Sequence, residues 1–261
     1  MKHIISDIIM YLKLNFTTIK IEDTAKYFGY SKFHFSHEFK RIMGFSISEY
    51  ISALKIELSI SELLKNDRTV LGSQIKSGYL SSGTFSNTFS AATGISPAKY
   101  KKNFISHYEH LKDFQLTTRE AVYKSVCQST YQSNRYENTS YNRCKVKINN
   151  NAGIAFVGIY PSPIANRKPV MGKATLKDSC VFDNIPDGSY YFLVCSMLNS
   201  DNPLNYYLLD NCFRGRTENR ITFTKDTCKE ITITLRETHA EDTPIIINLP
   251  FILAETARIP I

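Results

Sequence analysis

The chain has 261 residues, of which 43% are hydrophobic and 21% are charged, a composition typical of folded domains and not of disordered chains. This length accommodates two domains. The formal net charge is +8, and residues 1–104 carry +6 of it through 14 basic and 8 acidic side chains. Nucleic acid is therefore the first class of partner that the charge distribution predicts.

No run approaches 18 consecutive apolar residues, so we expect no membrane span and no membrane partner. The opening apolar run, from Ile4 to Leu14, is broken by Asp7 and has the spacing of one helix face. No small-residue cleavage site follows it. The sequence thus predicts a cytoplasmic protein without a signal peptide.

An internal repeat with an offset of 50 residues organises the first hundred residues. Each copy has the pattern of a short helix, a glycine turn and a second helix that begins after a capping serine. Gly29 and Ser31 have these roles in the first copy, and Gly78 and Ser81 have them in the second. The matches indicate a duplicated supersecondary unit. Six of the identities at this offset are Phe35 and Phe85, Ser36 and Ser86, Phe39 and Phe89, Gly44 and Gly94, Ser46 and Ser96, and Tyr50 and Tyr100.

The second helix of each copy separates an inward apolar face from an outward face. In the first copy Phe33, Ser36 and His37 face outward together with Lys40. Donors, an aromatic ring and a cation suit a helix that lies in a DNA major groove. The outward residues of the second copy are small and uncharged: Ser82, Gly83, Ser86, Asn87 and Ser90.

A single helix without Gly or Pro is predicted between the copies, from Ser48 to about Lys65. Its two halves have apolar stripes on opposite faces, so each half can pack against one module. About 18 residues at 1.5 Å span roughly 27 Å, which would place the two outward-facing helices about one DNA turn apart. One monomer would then read two successive major-groove segments.

Residues 23–44 resemble the first helix-turn-helix of the AraC/XylS transcriptional regulators, and residues 78–100 resemble the second. The resemblance implies an all-α DNA-binding domain of two helix-turn-helix units joined by a linker helix. It implies double-stranded DNA and RNA polymerase as partners of a transcription regulator. By position, the family's base contacts fall on Phe33, Ser36, His37, Ser82, Gly83, Thr84 and Asn87, and phosphate contacts on Lys32, Lys40, Lys101 and Lys102.

Three positions depart from the family pattern: Ser73 and Gln74 replace an apolar and a small residue, and Lys55 replaces the usual Arg. We therefore expect the second module to pack more loosely and the first to supply most of the base discrimination. Two alternatives stay open: Phe33 as a core residue, and Lys101–Lys102 as a solvated helix end. The pairs His34/His37 and His107/His110 have partial metal-ligand spacing without further ligands, so surface or packing roles are favoured and no metal site is expected.

The residue pattern of the second half predicts a mainly-β domain. The predicted domains are therefore a DNA-binding domain at 1–106, a polar linker at 107–142 and a β-sandwich at 143–261. Seven or more short strands favour a sandwich or small barrel. Residues 153–160 and 182–191 resemble prealbumin-like and carboxypeptidase-regulatory sandwiches, which implies a structural or interaction module. Strands are expected at residues 144–148, 154–160, 181–185, 190–197, 221–223 and 231–235, with a terminal pair at 245–247 and 251–253.

Catalytic motifs are missing from the sequence: it has no complete phosphate loop, no G-x-S-x-G and no H-E-x-x-H, so neither an enzyme nor a cofactor is expected. The six cysteines lie after residue 126, with no clustered spacing and no visible basic activator. They are expected to be reduced and mostly buried, which favours packing over metal or oxidant sensing. The aromatic residues Phe156, Tyr160, Tyr190 and Phe192 could line a pocket for a small-molecule effector, but a core role is favoured.

The favoured function is a sequence-specific transcription regulator whose C-terminal domain senses a ligand or mediates protein contacts. An architectural or adaptor DNA-binding protein that recruits a partner through its β domain is the alternative. A DNA-repair methyl acceptor with a similar helical module is disfavoured because no Cys is followed by His-Arg.

Overall fold

The computed structural model describes residues 1–65, 69–117, 121–124, 141–209, 211–239 and 241–256. A short 3-10 helix, Lys2–Ile4, precedes the first α-helix. The α-helices of this part of the chain are α1 (Ile5–Asn15), α2 (Ile21–Tyr27), α3 (Lys32–Met43), α4 (Ile47–Leu64), α5 (Val70–Lys76), α6 (Ser82–Thr93), α7 (Pro97–Thr117), α8 (Asn205–Leu208) and α9 (Leu249–Thr256). The strands are β1 (Ala121–Lys124), β2 (Arg143–Asn149), β3 (Ile154–Tyr160), β4 (Met171–Thr175), β5 (Ser179–Asp183), β6 (Gly188–Met197), β7 (Cys212–Arg216), β8 (Ile221–Phe223), β9 (Cys228–Thr234) and β10 (Arg236–Glu237).

The helical half repeats itself, as the sequence predicts. Helices α2 and α5 each have 7 residues, and α3 and α6 each have 12. The turn glycines Gly29 and Gly78 both have φ +75°, a conformation that side-chain-bearing residues rarely adopt. The capping hydroxyls of Ser31 and Ser81 each accept a hydrogen bond from a backbone N–H over 3.4 Å. Two equivalent helix-turn-helix units are therefore present.

The predicted linker helix is α4, which runs from Ile47 to Leu64. It starts with a capping box in which Ser46 and Glu49 each accept a hydrogen bond from the other's backbone N–H. Helix α4 contacts α3 on the first unit and α5 and α6 on the second. The two units thus pack against one shared linker helix.

Helix α1 distinguishes the two otherwise similar units. The Tyr11 ring stacks on Tyr27 of the first unit with centroids 4.5 Å apart. The chain that leaves α1 then passes the turn of the second unit, where a Cβ at Gly78 would lie 2.3 Å from the carbonyl oxygen of Thr17. A Cβ at Gly29 would meet no atom of the described residues within 4 Å. The two turns therefore have the same backbone but different surroundings.

The C-terminal half is a β-sandwich, as predicted. One sheet has the order β1-β4-β3-β6-β7-β10, with β8 also paired to β6, and the other has the order β5-β2-β9. The β2–β9 pair is parallel, and the other pairs of the described strands are antiparallel. A hydrophobic core fills the space between the sheets. Strand β3 is buried at every position because its other face lies under helices, which explains its uninterrupted apolar run.

The predicted pair of terminal strands is wrong. Residues 244–248 form no regular element, and residues 249–256 form helix α9. Asn248 caps this helix, because its side-chain oxygen accepts a hydrogen bond from the Phe251 N–H over 3.0 Å. Pro250 in the first turn has no N–H that needs a partner. The helix start at Asn-Leu-Pro, residues 248–250, thus outweighs the β propensity of the neighbouring apolar residues.

Part of the region predicted as a linker forms regular structure. Helix α7 extends through residue 117, and β1 pairs with β4 at the sheet edge. Residues 125–140 lie outside the described residues. Within the described chain, none of the helices is long and apolar enough to cross a membrane.

The two halves pack against each other through one continuous hydrophobic cluster. The Tyr207 hydroxyl of α8 donates a hydrogen bond to the Phe104 carbonyl oxygen of α7. The glycines that end α3 and α6 both abut the β half. A Cβ at Gly44 would lie 2.7 Å from Cγ of Pro163, and one at Gly94 would lie 2.7 Å from Cε of Lys168.

Candidate nucleic-acid interface

The second helices of the two units present matching surfaces. Residues 31–39 and 81–89 have the same order of exposed, half-buried and buried positions. Phe35 and Phe39 are fully buried, as are Phe85 and Phe89 at the equivalent places. The inward stripe predicted from the sequence therefore holds each helix in place and leaves its opposite face open to solvent.

Every residue predicted to contact bases lies on one of these two open faces. Ser36 is half-buried, and the remaining six are exposed. Phe33 is 86% exposed, so it is not a core residue. An exposed aromatic ring on a groove-facing helix can contact a thymine methyl group. The exposed members are Phe33, His37, Ser82, Gly83, Thr84 and Asn87.

An ion pair supports the outward face of α3. Arg41 donates two hydrogen bonds to the Glu38 carboxylate, over 2.9 and 2.8 Å, and these hydrogen bonds lower the pKa of Glu38 to about 2. The same carboxylate lies 3.6 Å from Nδ1 of His37. Glu38 thus remains an acceptor at neutral pH beside the imidazole that is predicted to read bases.

The predicted phosphate contacts border the same helices. Lys32 and Lys40 are exposed at the two ends of α3. Lys102 is exposed near the start of α7, and Lys101 is half-buried beside it. A lysine is suited to a phosphate because its ammonium group neutralises charge without requiring a fixed geometry.

The unusual residues of the second unit form specific hydrogen bonds. Lys55 donates to the Gly78 carbonyl over 3.1 Å and lies 5.6 Å from the centre of the Tyr79 ring. Ser73 is fully buried and donates to the Ser59 carbonyl over 2.8 Å. Gln74 donates to the Tyr79 carbonyl over 3.2 Å. Polar contacts from α4 and α5 thus hold the turn, in contrast to the expected loose packing.

The structure separates the four aromatic residues predicted to line a ligand pocket. Phe156 and Tyr160 line a cavity of about 50 Å³ between the larger sheet and α9. Phe192 lies in the core between the sheets, and Tyr190 packs beside Phe223 with ring centroids 6.5 Å apart. The imidazole of His107 is buried with its centroid 5.3 Å from that of Phe251, which is a packing role.

A larger cavity, of about 390 Å³, lies where the helical half meets the β half. Pattern analysis of the sequence missed it, because its residues come from separate segments that show no motif. Arg216 donates to the Pro163 carbonyl over 3.2 Å, and Arg236 forms an ion pair with Asp242. The charged residues of its lining are Arg214, Arg216, Arg236, Glu241 and Asp242.

Comparison with known proteins places the similarity in the helical half. The sequence model of a helix-turn-helix domain family matches residues 24–103. The HTH-type transcriptional activator AarP of Providencia stuartii is 32% identical over 99 residues, which are 38% of this chain and 73% of that protein. The probable transcription factor PqrA of Proteus vulgaris is 28% identical over 105 residues, 39% of this chain and 86% of the relative.

A solved structure, the C-terminal domain of the response regulator AraT from Geobacillus stearothermophilus, is 22% identical with a TM-score of 0.37. The match covers 38% of this chain and 84% of the AraT chain. The repeated helix-turn-helix geometry and the similarity to AarP over most of that protein's length agree with the residue pattern of both units. The chain therefore belongs to the AraC/XylS family of transcriptional regulators.

Proposed function

We propose that this protein activates transcription by reading two adjacent major-groove segments of one DNA duplex with α3 and α6. The observation that carries the proposal is the matched exposure of the two helices on a common linker helix. Base edges would be read by the outward side chains, whereas lysines would bind phosphates without sequence preference. The activating role rests on the similarity to AarP, which is named as a transcriptional activator, and a contact with RNA polymerase is proposed as the means of activation.

The first unit would supply most of the base discrimination. Its outward face combines an aromatic ring and an imidazole, at Phe33 and His37. The second unit presents Ser82, Gly83 and Thr84, together with Asn87, and only the Asn87 amide can make a bidentate contact with adenine. Because the second unit has fewer strong hydrogen-bonding groups, we expect it to show a weaker sequence preference for the DNA segment that it reads.

The role proposed for the β domain is to sense a ligand or a partner and transmit the signal to the helical half. The support is its location: Met43 of α3 lines the 390 Å³ cavity together with residues of the β half, including Ile245 of the C-terminal segment. A volume above roughly 300 Å³ is typical of small-molecule sites. The relatives are regulators, which favours a role without catalysis.

Selection of bound DNA from a random pool by the full chain tests the proposal. We expect two short motifs about ten base pairs apart. His37→Ala should relax the first motif and Asn87→Ala the second, with the larger loss for His37. His110→Ala, which removes an exposed imidazole from α7, is the control. If the pool yields no enriched motif, the architectural alternative is favoured; if selectivity survives in His37→Ala, the assigned reading face is wrong.

A further inference from the structure

Two cysteines and an arginine lie side by side on the face of the larger sheet that is turned towards the helices. Cys195 of β6 is opposite Arg214 of β7, and Cys212 lies two residues before Arg214 on the same strand. Residues two apart on a strand share a face, so the three side chains are neighbours. Cys195 and Cys212 are 4% and 3% exposed.

Hydrogen bonds connect these side chains. Nε of Arg214 donates to Sγ of Cys212 over 3.2 Å, and Arg214 is itself held by a 2.8 Å hydrogen bond to the Thr243 carbonyl. In its neutral form the Cys212 thiol donates to the Leu209 carbonyl over 3.2 Å. The cluster thus places a cation against one of two adjacent thiols.

These contacts make the two thiols chemically different. The hydrogen bond with Cys195 lowers the pKa of Cys212, burial opposes this change, and Arg214 lowers the pKa further. The same thiol–thiol hydrogen bond, and then burial, raise the pKa of Cys195. One sulfur is therefore the stronger candidate for a thiolate, and its neighbour retains its proton.

We propose that Cys195 and Cys212 form a reversible intramolecular disulfide when a hydroperoxide oxidises Cys212. The Cys212 thiolate attacks one peroxide oxygen, the O–O bond breaks, and the leaving hydroxide takes a proton, which gives a sulfenic acid and water. The Cys195 sulfur then attacks the sulfenic sulfur, and the S–O bond breaks with release of a second water. Two thiols are oxidised by two electrons, and one hydrogen peroxide is reduced to two waters.

A small oxidant has space beside Cys195, and the Cys212 thiol lies within hydrogen-bond distance of that sulfur. Cys195 lines the cavity of about 50 Å³ beneath α9, whereas one water needs about 10–15 Å³ of such space. Hydrogen peroxide is about twice the size of water and fits in this space. Disulfides that form in reducing compartments are usually transient, which agrees with a reversible link.

The link would form next to the contact between the two halves of the protein. Cys212 follows α8 by only a few residues, and the hydroxyl of Tyr207 in α8 donates a hydrogen bond to the carbonyl oxygen of Phe104 in α7. The Tyr207 ring also lies 5.7 Å from that of Tyr100. An oxidised Cys212 is thus positioned beside a segment that contacts α7, the helix that follows the second unit.

Mass spectrometry of the full chain tests this inference. The starting protein has Cys127→Ser and Cys228→Ser, which remove the exposed Cys228 and the thiol that lies outside the described residues. After treatment with equimolar hydrogen peroxide, we expect the mass to fall by two hydrogen atoms, a cross-linked peptide pair containing Cys195 and Cys212, and full reversal by dithiothreitol. A disulfide between any other pair, or oxidation of Cys144 before this pair, overturns the inference.

Three variants identify the roles of the two sulfurs. Cys195→Ser should leave a sulfenic acid on Cys212 that dimedone traps, and Cys212→Ser should slow oxidation at least tenfold. Cys144→Ser, a buried thiol of β2 in the core between the sheets, is the matched control and should react like the starting protein. If a variant does not fold, the peptide map of the starting protein still decides the outcome.

Discussion

The hydroxyl group of Tyr207 donates a hydrogen bond to the carbonyl oxygen of Phe104 across 2.6 Å, and this contact joins the β domain to α7, the helix that follows the second unit. Removing the hydroxyl in Tyr207→Phe should lower the free energy of unfolding by about 1 kcal/mol, the usual net contribution of one hydrogen bond. Urea denaturation measures the change. Tyr27→Phe, at an exposed ring, should change stability by less than about 0.5 kcal/mol. Equal effects of the two variants would contradict a structural role for the Tyr207 hydroxyl.

The two turn glycines should respond unequally to alanine. Gly29→Ala should cost about 1–2 kcal/mol, because the left-handed backbone opposes the new methyl group while no atom of the described part of the chain lies within 4 Å of it. Gly78→Ala adds a collision with the Thr17 carbonyl, so we expect roughly 1–3 kcal/mol of further destabilisation. Thermal unfolding of the two variants makes the comparison. A cost at Gly29 equal to that at Gly78 would show that the end of α1 does not restrain the second turn.

Electrostatic contacts with phosphates should make DNA binding strongly dependent on salt. Lys40→Ala should weaken binding to all sequences alike and reduce the slope of log K against log salt by about 1. Lys225→Ala, an exposed lysine between β8 and β9, is the control and should keep the full slope. Fluorescence anisotropy at several salt concentrations measures both. A Lys40 variant that changes sequence preference but not the slope would place Lys40 at a base instead of a phosphate.

The Glu38–Arg41 pair should stabilise the first unit in a defined pH range. The pKa of Glu38 is about 2 in the folded chain and 4.5 when unperturbed, so the stabilisation is complete above pH 4.5 and is lost as the pH falls towards 2. Glu38→Gln should therefore lower the Tm slightly at pH 7, since solvent screens this surface pair. The difference from the unmodified protein should shrink below pH 4.5. A difference that grows on acidification would refute the ion pair as its source.

The helical half could be predicted closely because its determinants are local. Gly29, Ser31 and the buried Phe35 each act within one turn of helix, and the repeat doubles every such signal. The strands that alternate around Val146 and Ile233 were found for the same reason.

Contacts between residues that are far apart in the sequence could not be predicted in this way. Arg214 lies beside Cys195 only because β6 and β7 pair, and no spacing in the sequence indicates that neighbour. The cap at Asn248 was missed because the β-rich segment that precedes it suggested strands instead of a helix. The polar partners of Ser73 likewise come from another helix.

Under the proposed function, the close approach of Gly44 to Pro163 and of Gly94 to Lys168 has a consequence for the operator. Helices α3 and α6 both end against the same β domain, so a rotation of either helix would require the β domain to move. Each added base pair would rotate the second half-site by about 35° around the duplex axis. Under this proposal the β domain would fix the rotation of α6 relative to α3, and the protein would bind only DNA whose two half-sites have one spacing.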